Sequence, residues 1–174
     1  LLKKKKNLRL VDATNYSYKE ILRLVSSNEE FLVQTEDFNK FSKNDFKIVS
    51  KKKPNSEQMK NLIFAFNICR YTKSNAIVLA RNETTVGIGS GQPSRLDSCQ
   101  IAIDKMKKFM DTNDEVVAAS DAFFPFVDGI EKLVQSGVTA VIQPSGSIRD
   151  KEIIKFANET DTILVFSKTR HFRH

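Results

Sequence analysis

The segment Ser120-Asp121-Ala122-Phe123-Phe124-Pro125-Phe126-Val127-Asp128 sets three phenyl rings and a proline between two carboxylates. A simple turn does not need that much aromatic surface. A pocket for a flat ligand does, because an aromatic face stacks on a base or pterin ring. The same rings serve equally well as core filling. A second segment, Gln143-Pro144-Ser145-Gly146-Ser147-Ile148-Arg149-Asp150, joins an apolar run to a helical pattern. Gly146 allows close backbone approach, and free N–H groups near Ser147 and Ile148 would face an anion or a developing negative charge. The plainer reading is a capped turn, with Ser147 or Asp150 helping to cap the helix.

A third segment, Gly87-Ile88-Gly89-Ser90-Gly91-Gln92-Pro93-Ser94-Arg95, resembles a phosphate cradle. It lacks the Lys-Ser/Thr of a P-loop and the spacing of a dinucleotide fingerprint. Arg95 stands near a helix start, where the dipole opposes a cation, and a carboxylate ligand would justify it. The stretch Thr169-Arg170-His171-Phe172-Arg173-His174 holds both histidines of the chain. It follows a strand and either docks into a site or frays as a basic end.

These segments need a scaffold, and the pattern supplies an alternation of short apolar runs with helical ones. Residues 8–11, 31–35 and 46–50 read as strands and 18–26 as a helix. Pro54-Asn55-Ser56-Glu57 starts a helix, capped by Ser56 or Asn55, that runs to about Tyr71. Its apolar residues nearly encircle it, so it should be mostly buried. Residues 76–80 and 85–88 are strands joined through Arg81-Asn82-Glu83. Gly87, Gly89 and Gly91 form a flexible segment of close approach. A helix over 94–110, a strand over 116–120 and a helix over 129–136 follow, with Gly137 as C-cap. The last elements are a strand over 138–142, a helix over 149–159 and a strand over 163–166. Repetition of this kind argues an α/β layered sheet with flanking helices, largely parallel in its C-terminal part. Ligands of such sheets gather beyond the carboxyl ends of the strands, so the Phe-rich loop, the 143–148 loop and the 168–174 segment should converge.

Composition bounds the rest. The chain has 174 residues, 40% hydrophobic and 28% charged, which suits one ordinary globular domain or two small ones. No apolar run approaches a membrane span, and no secretory signal opens the chain. Cys69 and Cys99 read as buried thiols of a cytoplasmic protein rather than a disulfide. Zinc is not expected, because the Cys-x-x-Cys and His-x-Glu elements of the zinc deaminases are missing. Of the net charge of +7, residues 1–53 carry most, with 13 Lys and Arg against 7 Asp and Glu. A non-catalytic module that binds nucleic acid or nucleotides through this basic segment is the alternative reading. The lysine runs have no interleaved aromatics, which favours a solvated face.

Together with Lys73-Ser74-Asn75-Ala76-Ile77-Val78 and Phe31-Leu32-Val33-Gln34, the four segments above occur in the order seen in one family. The chain resembles the C-terminal part of the bifunctional purine-biosynthesis enzymes, which combine aminoimidazole-carboxamide ribonucleotide (AICAR) transformylase with IMP cyclohydrolase. The resemblance implies a cytidine-deaminase-like lobe over 54–174, with 1–53 joining it to a preceding lobe. It implies formyl transfer from 10-formyl-tetrahydrofolate, the co-substrate, to the exocyclic amine of AICAR, in a cytoplasmic homodimer.

Carried over residue by residue, Phe123 stacks on the AICAR base and Arg170 binds its phosphate, with Phe172 nearby. Asn75 holds the reacting groups and His174 supports them. Arg95, Pro125, Phe126 and Asp128 line the folate site, and the Ser147 and Ile148 amides form an anion-stabilising nest. Ser74 and Asp121 are implied as ligands of a potassium ion. The family's catalytic Lys-His-x-Asn-Pro-Cys-Gly string does not occur here, and the cyclohydrolase domain is absent. The chain alone is therefore expected to be inactive. Pro93 and Gly129 are smaller departures from the family pattern.

Overall fold

The computed structural model describes residues 7–15, 22–37, 41–109 and 115–173. The chain forms two compact units, Leu1–Asn39 and Lys40–His174. In the first, β1 (Leu22–Ser27) pairs antiparallel with β2 (Glu30–Thr35), and Asn28 turns the chain at φ 51°. Asparagine tolerates that left-handed conformation, which suits a tight hairpin turn. The helix expected over 18–26 is overturned from Leu22 onward; residues 18–21 lie outside those described. Leu22 and Leu24 fit strand alternation as well as a helical turn, and Ser26-Ser27-Asn28 favours turns over helix. Residues 8–11 are irregular rather than a strand. They have no ladder partner among the described residues, and Leu10 and Val11 are exposed.

The second unit is a six-stranded sheet with helices on both faces. After a 3-10 turn at Lys43–Asp45 come β3 (Phe46–Ile48), α1 (Ser56–Cys69), β4 (Ile77–Arg81), β5 (Thr84–Gly89) and α2 (Arg95–Met106). Then follow β6 (Val116–Ser120), α3 (Val127–Gln135), β7 (Val138–Pro144), α4 (Asp150–Glu159) and β8 (Ile163–Ser167). The strand order is β3-β8-β7-β6-β4-β5. Only β6, β7 and β8 are mutually parallel; β3, β4 and β5 join antiparallel. The C-terminal strands β6, β7 and β8 are thus parallel as expected, and the sheet as a whole is mixed because the β4–β5 hairpin enters beside β6 and β3 joins β8 antiparallel. Residues 40–53, grouped by charge with the basic segment, fall in this unit, where β3 forms an edge strand.

Strand alternation sorts the core into two layers. Val78, Ala80, Val117, Ala119, Ile142 and Val165 meet Leu62, Ala65 and Phe66 of α1. Ile77, Leu79, Ala118, Val141 and Leu164 meet α2, α3 and α4 through Ile103, Leu133 and Ile153. Asn55 caps α1: its side chain accepts from Gln58 N at 2.8 Å, and Gln58 Oε1 accepts from Asn55 N at 2.9 Å. Met59, Ile63, Phe64 and Ile68 of this helix are only half-buried, less than their number predicted.

Gly87 and Gly89 are strand residues of β5, not a flexible cradle. A Cβ on Gly87 would lie 2.1 Å from the Ala102 carbonyl oxygen, and one on Gly89 1.8 Å from that of Ser98. The glycines let α2 lie directly on the strand, so the close approach serves packing rather than a phosphate.

Cys69 and Cys99 are buried free thiols on opposite layers of the sheet. Burial pushes the Cys69 thiol well above the ordinary range and the Cys99 thiol up to about 12. Their folded-state values are raised, so their contribution to stability is complete below the ordinary thiol range. It is lost as the pH climbs from about 9 toward 12. A thiol reagent at pH 8 is expected to leave both unmodified in the native chain and to label both in denaturant. Rapid native labelling of either would contradict their burial.

Candidate functional site

The carboxyl ends of β6, β7 and β8 and the start of β4 meet at one end of the sheet. Asp121 follows β6 and is fully buried. A buried charge needs a partner, and Arg95, in the first turn of α2, supplies it. Arg95 Nη1 bonds Asp121 Oδ1 and, at 2.8 Å, Ser120 Oγ; its Nη2 donates to Asn75 Oδ1 at 2.9 Å. The carboxylate that justifies a cation at this helix start therefore belongs to the chain itself, not to a ligand as the sequence suggested.

Ser74 Oγ donates to Asp121 Oδ2 at 2.6 Å and accepts from Arg173 N at 3.0 Å. His171 N donates to Asp121 O at 3.0 Å. The segment after β8 is thus docked, and the His171 ring packs 4.6 Å from Phe66 and 5.2 Å from Phe41. With Arg95 on one carboxylate oxygen and a hydroxyl on the other, the Asp121 charge is already balanced. Ser74 and Asp121 as arranged do not fit a potassium ion, whose charge would add to that of Arg95. Among the described residues, no group of three or more His, Cys, Asp or Glu is placed to hold a metal ion.

Beside this network opens a cleft of about 480 Å³. Asn75, Arg95 and Asp128 line it, together with the apolar Phe123, Pro125, Phe126 and Phe172. Seven residues singled out from the sequence, from four separate segments, are thereby brought together. The Arg170 guanidinium lies over Phe123, 5.1 Å from the ring centroid. In the 143–150 loop α4 is capped at Arg149 with no side-chain hydrogen bond, so neither Ser147 nor Asp150 caps the helix, and the Asp150 carboxylate turns back on the loop. Gly146 N and Ser147 N donate to the Asp150 carboxylate at 2.8 and 3.2 Å, and Ile148 is fully exposed. The Ser147 amide is therefore occupied by the chain's own carboxylate rather than free for an anion. His174 lies outside the described residues.

Asn75 is held by its surroundings. Its Nδ2 donates to Gln92 O at 3.0 Å and Pro93 O at 3.1 Å, so both amide hydrogens are engaged. The sequence reading assigned no role to Gln143, which is fully buried and accepts from Phe124 N at 3.3 Å through Oε1. Its signal is a polar residue that follows the apolar run Ala140-Val141-Ile142 near the end of β7. Gly129 has a packing reason: a Cβ there would lie 2.6 Å from the Phe124 ring. A hollow of about 290 Å³ lies at the opposite end of the sheet, among Gln58, Asn61, Arg81 and Glu115. It has no aromatic lining and suits a flat ring poorly.

The family described as AICARFT/IMPCHase bienzyme matches residues 1–105. This chain belongs to that family. The bifunctional purine biosynthesis protein PurH of Chlorobium phaeobacteroides (strain BS1) is 44% identical over 175 residues, covering 100% of this chain and 33% of that protein. Its counterpart in Aquifex aeolicus (strain VF5) is 43% identical over 173 residues, covering 99% and 33%. The chain thus spans about a third of the length of these relatives. Phe123 to Asp128 and Phe172 lie beyond the stretch matched to the AICARFT/IMPCHase bienzyme family but within the span shared with the Chlorobium relative.

Among solved structures, an apo dCMP deaminase from the cyanophage S-TIM5 aligns with a TM-score of 0.43 and 16% identity, over 64% of this chain and 97% of that one. A diaminohydroxyphosphoribosylaminopyrimidine deaminase/5-amino-6-(5-phosphoribosylamino)uracil reductase from Thermotoga maritima aligns with a TM-score of 0.37 and 11% identity, over 63% and 34%.

Proposed function

We propose that this chain forms part of a transformylase site that moves a formyl group from 10-formyl-tetrahydrofolate to the exocyclic amine of AICAR. The observation that carries the reading is the aromatic cleft beside the Arg95–Asp121 pair. The parent protein would also carry IMP cyclohydrolase activity and work in the cytoplasm as a homodimer. No helix among the described residues is long and apolar enough to cross a membrane.

In this reaction the amine nitrogen attacks the formyl carbon and a tetrahedral oxyanion forms. N10 of the folate then leaves with a proton as the amine loses one. The amine is a weak nucleophile because its lone pair is conjugated with the ring, so orientation matters most. Phe123 offers its face to the AICAR base, and Arg170, held over that ring, reaches the phosphate. Pro125, Phe126 and Phe172 supply apolar surface to the folate and keep water from the reacting atoms. Asp128 is available to the polar edge of the pterin. Asn75 and Arg95, fixed by the Asp121 network, hold the cleft in shape. With Ser147 N bound to Asp150, oxyanion stabilisation is left to groups other than that amide.

Calorimetry on the purified chain tests the reading, using AICAR and an unreactive analogue of the formyl folate. Both should bind. Phe123→Ala and Arg170→Ala should each weaken AICAR about tenfold, the scale of one stacking or charge-assisted contact. No formyl transfer is expected, because the Lys-His string does not occur in residues 1–174. Absence of binding by both ligands at millimolar concentration would overturn the proposal. A salt-dependent shift of an oligonucleotide would favour the nucleic-acid alternative instead. Lys52, in one of the two lysine runs, is already paired with Asp161 at 2.8 Å.

A further inference from the structure

At the end of the sheet opposite the cleft, the hollow of about 290 Å³ adjoins a second of about 380 Å³, and Glu57, Asn61 and Asn82 line both. Two side-chain amides of α1, Gln58 and Asn61, line the first. They are 8% and 5% exposed. Three residues apart on a helix, they share one face. The oxygen of each is tied to a backbone N–H. Gln58 Oε1 accepts from Asn55 N at 2.9 Å, and Asn61 Oδ1 accepts from Glu83 N, in the turn between β4 and β5, at 2.7 Å. Those bonds fix which end of each amide is the nitrogen. Asn61 Nδ2 has no hydrogen-bond partner among the described residues, and it is not sealed inside the protein. Gln58 Nε2 reaches Glu115 Oε2 only at 3.5 Å, the limit of a hydrogen bond.

The fold alone does not call for these nitrogens. An aspartate at position 61 would hold the Glu83 amide equally well. A glutamate at position 58 would complete the capping box and suit the helix dipole better. Two NH2 groups side by side match the two oxygens of one carboxylate. The walls oppose a simple anion, because among the described residues that line the first hollow Glu57 and Glu115 outnumber Arg81. A ligand that brings an ammonium group along with its carboxylate satisfies both floor and walls. The first hollow lies at the lower end of small-molecule pockets, which run from about 300 to 1,000 Å³, so the ligand is small. The second is lined by polar residues such as Ser56, Lys60 and Asn82, which suit a polar side chain. We infer that this end of the sheet binds a small polar α-amino acid. Its carboxylate rests on Asn61 Nδ2 and Gln58 Nε2, and its ammonium group faces Glu115 and Glu57.

Calorimetry on the full chain tests the site with L-asparagine and two truncated forms of it. Succinamate lacks the ammonium group, and 3-aminopropanamide lacks the carboxylate. L-Asparagine should bind, and each truncated form should bind about tenfold more weakly, the scale of one hydrogen bond to a charged group. L-Leucine, whose side chain is apolar, should also bind more weakly. Asn61→Asp and Gln58→Glu keep the bonds to Glu83 N and Asn55 N but set a carboxylate against that of the ligand. Each should weaken L-asparagine about tenfold while the melting temperature stays unchanged. Absence of L-asparagine binding at millimolar concentration would overturn the inference. Wild-type affinity for either truncated form equal to that for L-asparagine would overturn it too, with no need of a variant. Undiminished binding by both variants would show that the two amides hold nothing. Equal affinity for L-leucine would overturn the preference for a polar side chain.

Discussion

Replacement of Arg95 by methionine is expected to lower the unfolding free energy by about 3–5 kcal/mol, the range for removing one partner of a buried ion pair. Asp121 is fully buried, and its charge is met by Arg95. Methionine fills similar space but donates nothing. Ser120 Oγ and Asn75 Oδ1 lose the same donor, so one substitution disturbs three acceptors. Urea denaturation followed by circular dichroism measures the loss. The double variant Arg95→Met/Asp121→Asn should lose less than the sum of its two single variants, because the stranded charge is gone. A loss below about 1 kcal/mol for Arg95→Met would show that Asp121 does not depend on Arg95. Ligand binding should fall as well, even at temperatures where the variant is folded, because Arg95 also lines the cleft.

The second large effect is expected for Gly89→Ala. The added methyl would lie 1.8 Å from the Ser98 carbonyl oxygen and 2.8 Å from Ser98 Cα. These are helix backbone atoms, not the end of a flexible side chain, so α2 or β5 has to move. A cost of about 3 kcal/mol, at the upper end for overpacking, is expected. Because α2 begins with Arg95, the displacement reaches the cleft. Gly137→Ala is the control. Its φ is +97°, but nothing lies within 4 Å of the added Cβ, so only backbone strain of about 1–2 kcal/mol is expected. Comparable melting losses for the two variants would remove the argument that Gly89 is required by helix packing.

Much of the sheet was legible because β6, β7 and β8 are nearly continuous apolar runs, as strands covered on both faces must be. The cleft was legible for a different reason: Phe123, Pro125 and Phe126 crowd one loop, and strand ends of an α/β sheet collect such loops. The pairing of Arg95 with Asp121 was not. The two residues are brought together by the insertion of β4 beside β6, and strand order is a property of the whole sheet rather than of any window of sequence. The hairpin at Leu22–Ser27 was missed because a short stretch of leucines fits both periods, and the pairing with Phe31–Thr35 decides between them. In the 143–150 loop, the carboxylate three residues beyond Ser147 was visible. The sequence offers it as a helix cap, and only the geometry shows that it holds the Gly146 and Ser147 amides.

The strand β3 precedes α1, yet among the described residues its ladder partner is β8, the last strand of the sheet in chain order. During synthesis β3 therefore waits until the other strands of this sheet have been made, and ladders that close across such sequence separations form slowly. The segment that follows β8 then ties down Ser74 and Asp121 through Arg173 and His171. The binding face is consequently the last part of the fold to mature. In a nascent or partly unfolded chain the central strands would already be paired while the cleft was still unfinished, which makes ligand binding a reporter of completed folding.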